Sequence, residues 1–489
     1  MKLRNLLTLV LTVFLISSLY AQKEKTEKRM IKNLNILNEP TTIPLAIDYT
    51  GIQESKFANL SMTTPTEIDS TLAQQLQNVL DEAIAQYDIV GLSAALSTPN
   101  GDIWKGASGI SHDTVEVTTD MLFGIASITK TFIATIIMQL YEADSLKLTD
   151  SLCKWLPPYE NIDSTITIRQ LLNMTSGIYN YTNYPAYSDS VFVTGSRIWT
   201  PEELLETFVL SPSFSPGTDW EYSNTNYILL GMIIEEITGN EVVSELHNRL
   251  TIPLGLNSTF LFPDEGYEGV RSHVWYLSGG STTDITELVD TTAFSGVWTA
   301  GGIVSTAEDL VLWSKGLYEG EILNDTTLAL MKVPAPYSGG YYGLGTQIAP
   351  LYSQWVYGHT GSFIYLSQLF YVPDDSLSIS VISNQRPAPV NDIWLDLYFA
   401  YMDFITSEIE YHEPILVQVF PNPASDIANI KSNDLMKYVT VYNQVGQKVF
   451  YTELNSNFYR LNTSSFVSGI YHFLIKTDEG IVSRKIIIN

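Results

Sequence analysis

Ser127 and Lys130, one helical turn apart, stand at the mouth of a long apolar stretch. Side chains three positions apart share a helical face, so a hydroxyl lies beside an amine able to take its proton. A helix N-terminus adds unpaired N–H groups and a positive dipole end, useful where an acyl oxygen gains negative charge. The chemistry implied is attack by serine on a carbonyl, with lysine in the place that histidine takes elsewhere.

By accident alone, Ser-x-x-Lys should arise on the order of once or twice in a chain this long. A second copy, Ser151 to Lys154, is present. Context separates the two. Ser127 follows Phe123-Gly124-Ile125-Ala126 and precedes Thr131 to Tyr141, a run apolar nearly all round, as in a helix buried in a large core. Ser151 is cut off at Pro157-Pro158 and reads as a loop or short turn. The plainer alternative for Ser127 is a helix cap with a solvated lysine behind it.

Two more triplets fit a site. Tyr222-Ser223-Asn224 follows the turn Phe214-Ser215-Pro216-Gly217 and leads into a strong apolar helix. Tyr159-Glu160-Asn161 and Tyr181-Thr182-Asn183 share its form but not that context. His359-Thr360-Gly361 occurs once, at the start of a late strand, where glycine is expected to let a substrate backbone approach closely.

In this order the three elements resemble the active-site motifs of the class C β-lactamase and DD-peptidase family of serine hydrolases. Leu171 to Gly177, the Phe214–Gly217 turn and Ala300-Gly301-Gly302 strengthen the likeness, which covers roughly Pro65 to Glu410. The resemblance implies that Ser127 forms an acyl-enzyme, with Lys130 or Tyr222 as base and Tyr222 relaying the proton to the leaving group. It implies that Asn224 holds the substrate amide or positions Lys130, and that His359, Thr360 and Gly361 bind substrate. The N–H groups of Ser127 and Ser362 would form the oxyanion hole, with no metal or organic cofactor. His359 stands where many β-lactamases carry lysine, which favours a DD-peptidase-like or esterase-like substrate. Met174 replaces a histidine common in the family and reads as packing. Phe363 and Tyr365, where the family's usual glycine is missing, are expected to reshape the acyl pocket. A class C-type β-lactamase and a non-catalytic surface-binding module remain as alternatives.

The surrounding elements are legible as α/β. Leu72, Leu76 and Leu80 recur at helical spacing behind Asp69 or Ser70 as cap. Leu92 to Thr98 and Ile103 to Ser108 flank an Asn100-Gly101 turn and predict a hairpin. A helix is expected from Thr225 to a stop at Gly239, and another behind a capping box at Ser305-Thr306-Ala307-Glu308. Late strands, Ile364 to Val372 and Leu377 to Ser383, precede a closing helix through Ile393 and Ile405. Together these predict an antiparallel sheet flanked by terminal helices, with an inserted helical block; the resemblance implies a β-lactamase/transpeptidase-like fold.

Lys2 and Arg4 before the apolar stretch Leu6 to Leu19, then Ala21, read as a signal peptide over 1–21. A polar leader is expected over 22–64, the hydrolase domain over 65–410, a linker at 411–416 and a further domain over 417–489. A net charge of −27 argues against nucleic acid and anionic membrane surfaces. One cysteine, Cys153, and six scattered histidines predict neither an internal disulfide nor a zinc site. No other apolar run is long enough to span a membrane, so the mature chain is expected to be exported without a transmembrane segment.

Beyond Pro414, short alternating runs between turn signals predict a small all-β sandwich. Val419-Phe420-Pro421-Asn422-Pro423-Ala424, Gly469-Ile470-Tyr471 and the ending Arg484-Lys485-Ile486-Ile487-Ile488 resemble the sorting domain of the type IX secretion system. That resemblance implies the type IX machinery as a partner, beside a small-molecule or peptide substrate. It also implies passage through the periplasm of a Gram-negative, Bacteroidetes-like cell, then release or surface attachment.

Overall fold

The computed structural model describes residues 68–489 apart from 194–195, 353, 409–415, 445 and 478–479. The expected signal peptide, leader and domain start at 65 lie outside the described residues, as does all but Leu416 of the expected linker. Helix α1 (Ser70–Tyr87) forms because Leu72, Leu76 and Leu80 bury one stripe. Asp69 caps it, accepting from the Thr71 and Leu72 N–H groups at 2.7 and 3.2 Å. Strands β1 (Gly91–Ser97) and β2 (Ile103–His112) pair antiparallel across a turn that needs Gly101, with φ +86°. Strand β3 (Val115–Glu116) edges β2.

Helices α2 (Thr129–Glu142) and α3 (Thr225–Thr238) run through the middle of the helical block. Phe132, Ile133, Ile136 and Ile137 of α2 are all fully buried, as its all-round apolar sequence requires. Helix α3 stops at Gly239 in the left-handed conformation. Helix α4 (Ala307–Tyr318) starts one residue later than its sequence suggests. Ser305 ends a short strand, Ile303–Ser305, paired with Phe123, so its backbone is already committed. Thr306 is the cap instead, accepting from the Asp309 N–H at 3.2 Å, and the expected capping box does not form.

Strands β4 (Gln347–Leu351), β5 (Gln354–Ser362), β6 (Leu366–Val372) and β7 (Leu377–Ser383) follow, then helix α5 (Val390–Glu408). Seven strands make one antiparallel sheet in the order β3-β2-β1-β7-β6-β5-β4. Helices α1 and α5 cover one face, where Leu80, Leu92, Ile379, Val381 and Leu397 share a core. Ala95 and Ile382 point the other way, into the core of the helical block. Strand β1 is buried at all seven positions because both faces are covered. This is the β-lactamase/transpeptidase-like arrangement, and it brings the inner strand β5 against the foot of α2.

The C-terminal region is all-β: β8 (Val417–Phe420), β9 (Ile427–Asn443), β10 (Lys448–Asn462), β11 (Gly469–Thr477) and β12 (Ile481–Ile488). The alternating runs Ala428–Lys431 and Tyr438–Tyr442 lie on the one continuous strand β9, bent where its register shifts between Lys431 and Tyr438. That bend curls the sheet until β8 meets β12, where Arg484 Nε donates to the Val417 carbonyl at 2.9 Å. Ile430, Val439, Val441, Phe473 and Ile475 fill the interior. Among the described residues no helix is long and apolar enough to cross a membrane.

Candidate active site

Ser127 sits in a single 3₁₀ turn, Ala126–Ile128, that leads into α2. Ala126 has φ +48°, a conformation that costs a side-chain-bearing residue about 1–3 kcal/mol and recurs where a reactive group is held out of line. Within 121–138 Ser127 is the one residue not buried. Lys130, one turn on, is 0% exposed. A solvated lysine behind a helix cap is therefore excluded.

The surroundings of Lys130 define its state. Nζ lies 3.1 Å from Ser127 Oγ and 2.8 Å from Asn224 Oδ1, and donates also to the Ala300 carbonyl. Two of these partners can only accept; the serine hydroxyl can also donate. A neutral amine fits the set, giving its two protons to the carbonyl oxygens and its lone pair to the serine. Among the described residues Lys130 forms no ion pair, and burial pushes its pKa well below the ordinary lysine value. Its Nζ lies 5.0 Å from the ring centre of Tyr222 and 5.4 Å from that of Tyr227.

Tyr222-Ser223-Asn224 leads directly into α3, and Asn224 occupies the cap position without capping. Its side chain is diverted: Oδ1 accepts from Lys130, and Nδ2 donates to Thr182 Oγ1 at 3.1 Å. Its N–H donates to Asn180 Oδ1 at 3.1 Å. Met174 is more than packing. Its sulfur accepts from the Ser223 N–H and from Asn226 Nδ2, both at 3.4 Å, and so supports the triplet from below. The Tyr222 hydroxyl is buried, and burial raises its pKa well above the usual phenol value. Ser127 is close enough to pull that value partly back, yet no hydrogen bond of normal geometry joins them.

His359, Thr360 and Gly361 lie on β5, with the His359 ring 6.2 Å from that of Tyr222. Both His359 nitrogens are engaged within the fold. Nδ1 faces the Thr360 carbonyl at 2.6 Å and must donate, so Nε2 accepts from the Tyr342 hydroxyl at 3.2 Å. Thr360 gives its N–H and hydroxyl to Gln347 Oε1 at 3.0 and 3.2 Å. Gly361 is needed for a different reason than substrate approach. A Cβ there would stand 2.0 Å from Ser367 Oγ and 2.3 Å from the Ile125 carbonyl, which faces the protein and not the cleft. Ser362 ends β5, exposed. Tyr365 is also removed from the cleft: it is fully buried and donates to the Ser272 carbonyl at 2.5 Å. Phe363 stays half-buried.

The structure thus gathers Ser127, Lys130, Tyr222 and Asn224 around one amine and lays β5 beside them. Sequence reasoning did not find Asn180, Thr182, Tyr342 or the Ala300 carbonyl as parts of the site. Ala300-Gly301-Gly302 carried a signal, but a carbonyl acceptor leaves none in side-chain type.

His359 also has a consequence for stability. Burial, then the charge that Lys130 carries once it is protonated in acid, lowers its pKa from 6.5 to about 3. Between those values the unfolded chain binds a proton that the folded one refuses, so stability falls as the solution is acidified through that window. The melting temperature of His359→Gln is expected to fall less steeply than wild type between about pH 6.5 and 4. Equal slopes would mean that the ring is not held neutral.

Comparison with known proteins agrees with the geometry. Residues 76–399 match the beta-lactamase family model, and residues 418–489 match the secretion system C-terminal sorting domain. Penicillin-binding protein 4 of Amycolatopsis lactamdurans is 28% identical over 58% of this chain and 72% of its own length. Esterase EstB of Burkholderia gladioli is 27% identical over 41% of this chain and 54% of its own. The chain spans about half the length of most curated relatives it matches. The solved D-stereospecific amidohydrolase from Streptomyces sp. is 30% identical, with a TM-score of 0.60 over 67% of this chain and 98% of that one. The sorting domain marks the product for type IX secretion, to be released or held at the cell surface. With two thirds of its length under one family model, the chain belongs to the beta-lactamase family of serine hydrolases.

Proposed function

We propose that this is an exported hydrolase that cleaves an amide or ester through an acyl-enzyme on Ser127, with D-amino acid amides, D-peptides or short esters as substrates. The observation that carries the reading is Lys130: wholly buried, without a carboxylate partner among the described residues, and 3.1 Å from Ser127 Oγ. Neutral Lys130 takes the serine proton as Oγ attacks the carbonyl carbon. Lys130 is favoured over Tyr222 as that base, because burial lowers the pKa of the amine and raises that of the phenol. The oxygen gains its charge between the N–H groups of Ser127 and Ser362, where each donor is worth about a hundred- to a thousandfold in rate. When the carbonyl reforms, the bond to the leaving group breaks. The leaving group takes the proton from Lys130 through the Tyr222 hydroxyl, and water then releases the acyl group by the reverse path. Asn224 holds Lys130 in line, and the β5 edge from His359 to Ser362 carries the substrate. The names of an amidohydrolase acting on D-substrates and of an esterase among the similar proteins support the substrate class. Passage through the periplasm before type IX export completes the proposal.

A fluorophosphonate probe tests it. The full chain is expected to take the label, and Ser127→Ala to lose it entirely. Hydrolysis of D-amino acid amides, D-alanyl-D-alanine peptides or short acyl esters should exceed that of nitrocefin. Labelling that persists in Ser127→Ala, or no labelling by any acylating probe, sinks the reading; faster nitrocefin turnover would make the enzyme a β-lactamase.

A further inference from the structure

We infer that the cleft is shut at its acyl end by Phe192 and Phe363, so that the enzyme accepts short acyl groups and rejects substrates whose acyl side continues as a peptide. The inference rests on the acyl-enzyme reading above and names the substrate class within it.

The cleft has two walls. The segment that supplies Asn180 and Thr182 to Asn224 belongs to the helical wall; it continues through a short helix, Tyr187–Val191, to Phe192. The other wall is the end of β5, where Ser362 is followed by Phe363. The rings of Phe192 and Phe363 meet with centroids 5.5 Å apart, which joins the two walls.

Direction along the cleft follows from the chemistry. The leaving group must receive its proton from the Lys130–Tyr222 side, and Tyr222 lies beside His359 and Tyr342. Strand β5 runs from His359 toward Ser362, so the acyl portion, held past the Ser127 and Ser362 N–H groups, points at Phe363. The phenylalanine pair therefore stands where the residue before the scissile carbonyl would extend.

Neither ring sits on a free loop. Tyr181 and Tyr187 both donate their hydroxyls to the Gly296 carbonyl, at 2.7 and 2.8 Å, and anchor the helix ahead of Phe192. Val191 packs where Gly296 has no side chain. Phe192 itself is 5% exposed. The Phe363 carbonyl accepts from the half-buried Arg386 guanidinium, and its N–H donates to the Tyr365 carbonyl at 3.3 Å. A blocked end of this kind discriminates by length, because a longer acyl arm must displace an anchored ring while a short one stops before it.

The test compares kcat/KM of the full chain on D-alanine and D-phenylalanine p-nitroanilides with their N-acetyl and N-alanyl extensions. Wild type is expected to favour the unextended compounds by about tenfold or more. Phe363→Ala and Phe192→Ala should each narrow that gap to within about threefold, with thermal melting confirming the fold. Phe363→Ala, at the more exposed ring, decides should Phe192→Ala fail to fold. A wild type that cleaves extended and unextended compounds equally, or a gap that persists in folded Phe363→Ala, overturns the inference while the hydrolase reading stands. A wild type that cleaves neither and takes no fluorophosphonate at Ser127 overturns both.

Discussion

Replacing Lys130 by methionine is expected to lower kcat/KM by about a thousandfold or more, at the upper end of what one acid–base group supplies. Methionine nearly matches the buried stem in volume, so the fold should survive. It leaves Asn224 Oδ1 and the Ala300 carbonyl without their donor, at about 1–3 kcal/mol for each group left unsatisfied. Against that, it relieves the burial of an amine. The pH profile distinguishes a base from a structural prop. Lys130 works only without its proton, so wild-type activity should fail as pH drops through its lowered pKa, with that limb below the ordinary lysine range. Stability should move the same way. The unfolded chain keeps the lysine proton up to about 10.5 while the folded one has already shed it, so stability rises with pH across the interval and Lys130→Met flattens the rise. Rates of fluorophosphonate labelling for the two proteins across pH measure the effect. A variant that labels within about tenfold of wild type would remove lysine from the mechanism.

What could be read from the chain alone was whatever has a period or a local partner. Leu72, Leu76 and Leu80 betray their helix by spacing, and the run after Ser127 betrays burial by having no polar face. Tyr222 could be told from Tyr181 because only the former leads into an apolar helix. Tyr181 is instead an anchor, fully buried with its hydroxyl on the Gly296 carbonyl. What escaped was long-range and carried by ordinary groups. Ala300 reaches Lys130 across 170 positions through a carbonyl that every residue possesses. Tyr342 meets His359 from a loop with no motif of its own. The fates of Phe363 and Tyr365 diverge because the chain turns between β5 and β6, leaving one ring at the rim and one in the core. No pattern in a single sequence reports which way such a turn aims its side chains.

Gly361→Ala is expected to cost about 1–3 kcal/mol of stability, as overpacking does, and about a hundredfold in kcat, as a displaced catalytic group does. One methyl group has this reach because three elements interlock at Gly361. Across the β5–β6 pairing it faces Ser367, whose hydroxyl donates to the Ile125 carbonyl at 2.8 Å. The added carbon would lie 2.0 Å from that hydroxyl and 2.3 Å from that carbonyl, inside both contact limits. Relief requires β5 to move away or the turn ahead of Ser127 to shift, and Ala126 already holds that turn at positive φ. Either response moves the nucleophile relative to Lys130 and the Ser362 N–H. Gly266→Ala is the control, since a Cβ there meets nothing within 4 Å and its effect should stay within about 0.5 kcal/mol. The double variant Gly361→Ala with Ser367→Ala tests the cause. It removes the nearer obstacle but not the Ile125 carbonyl, so it should recover part of the melting temperature and little of kcat. Full recovery of both would place the whole clash on the serine; wild-type melting in Gly361→Ala would mean that β5 yields without disturbing the turn, and that the glycine is there for the substrate after all.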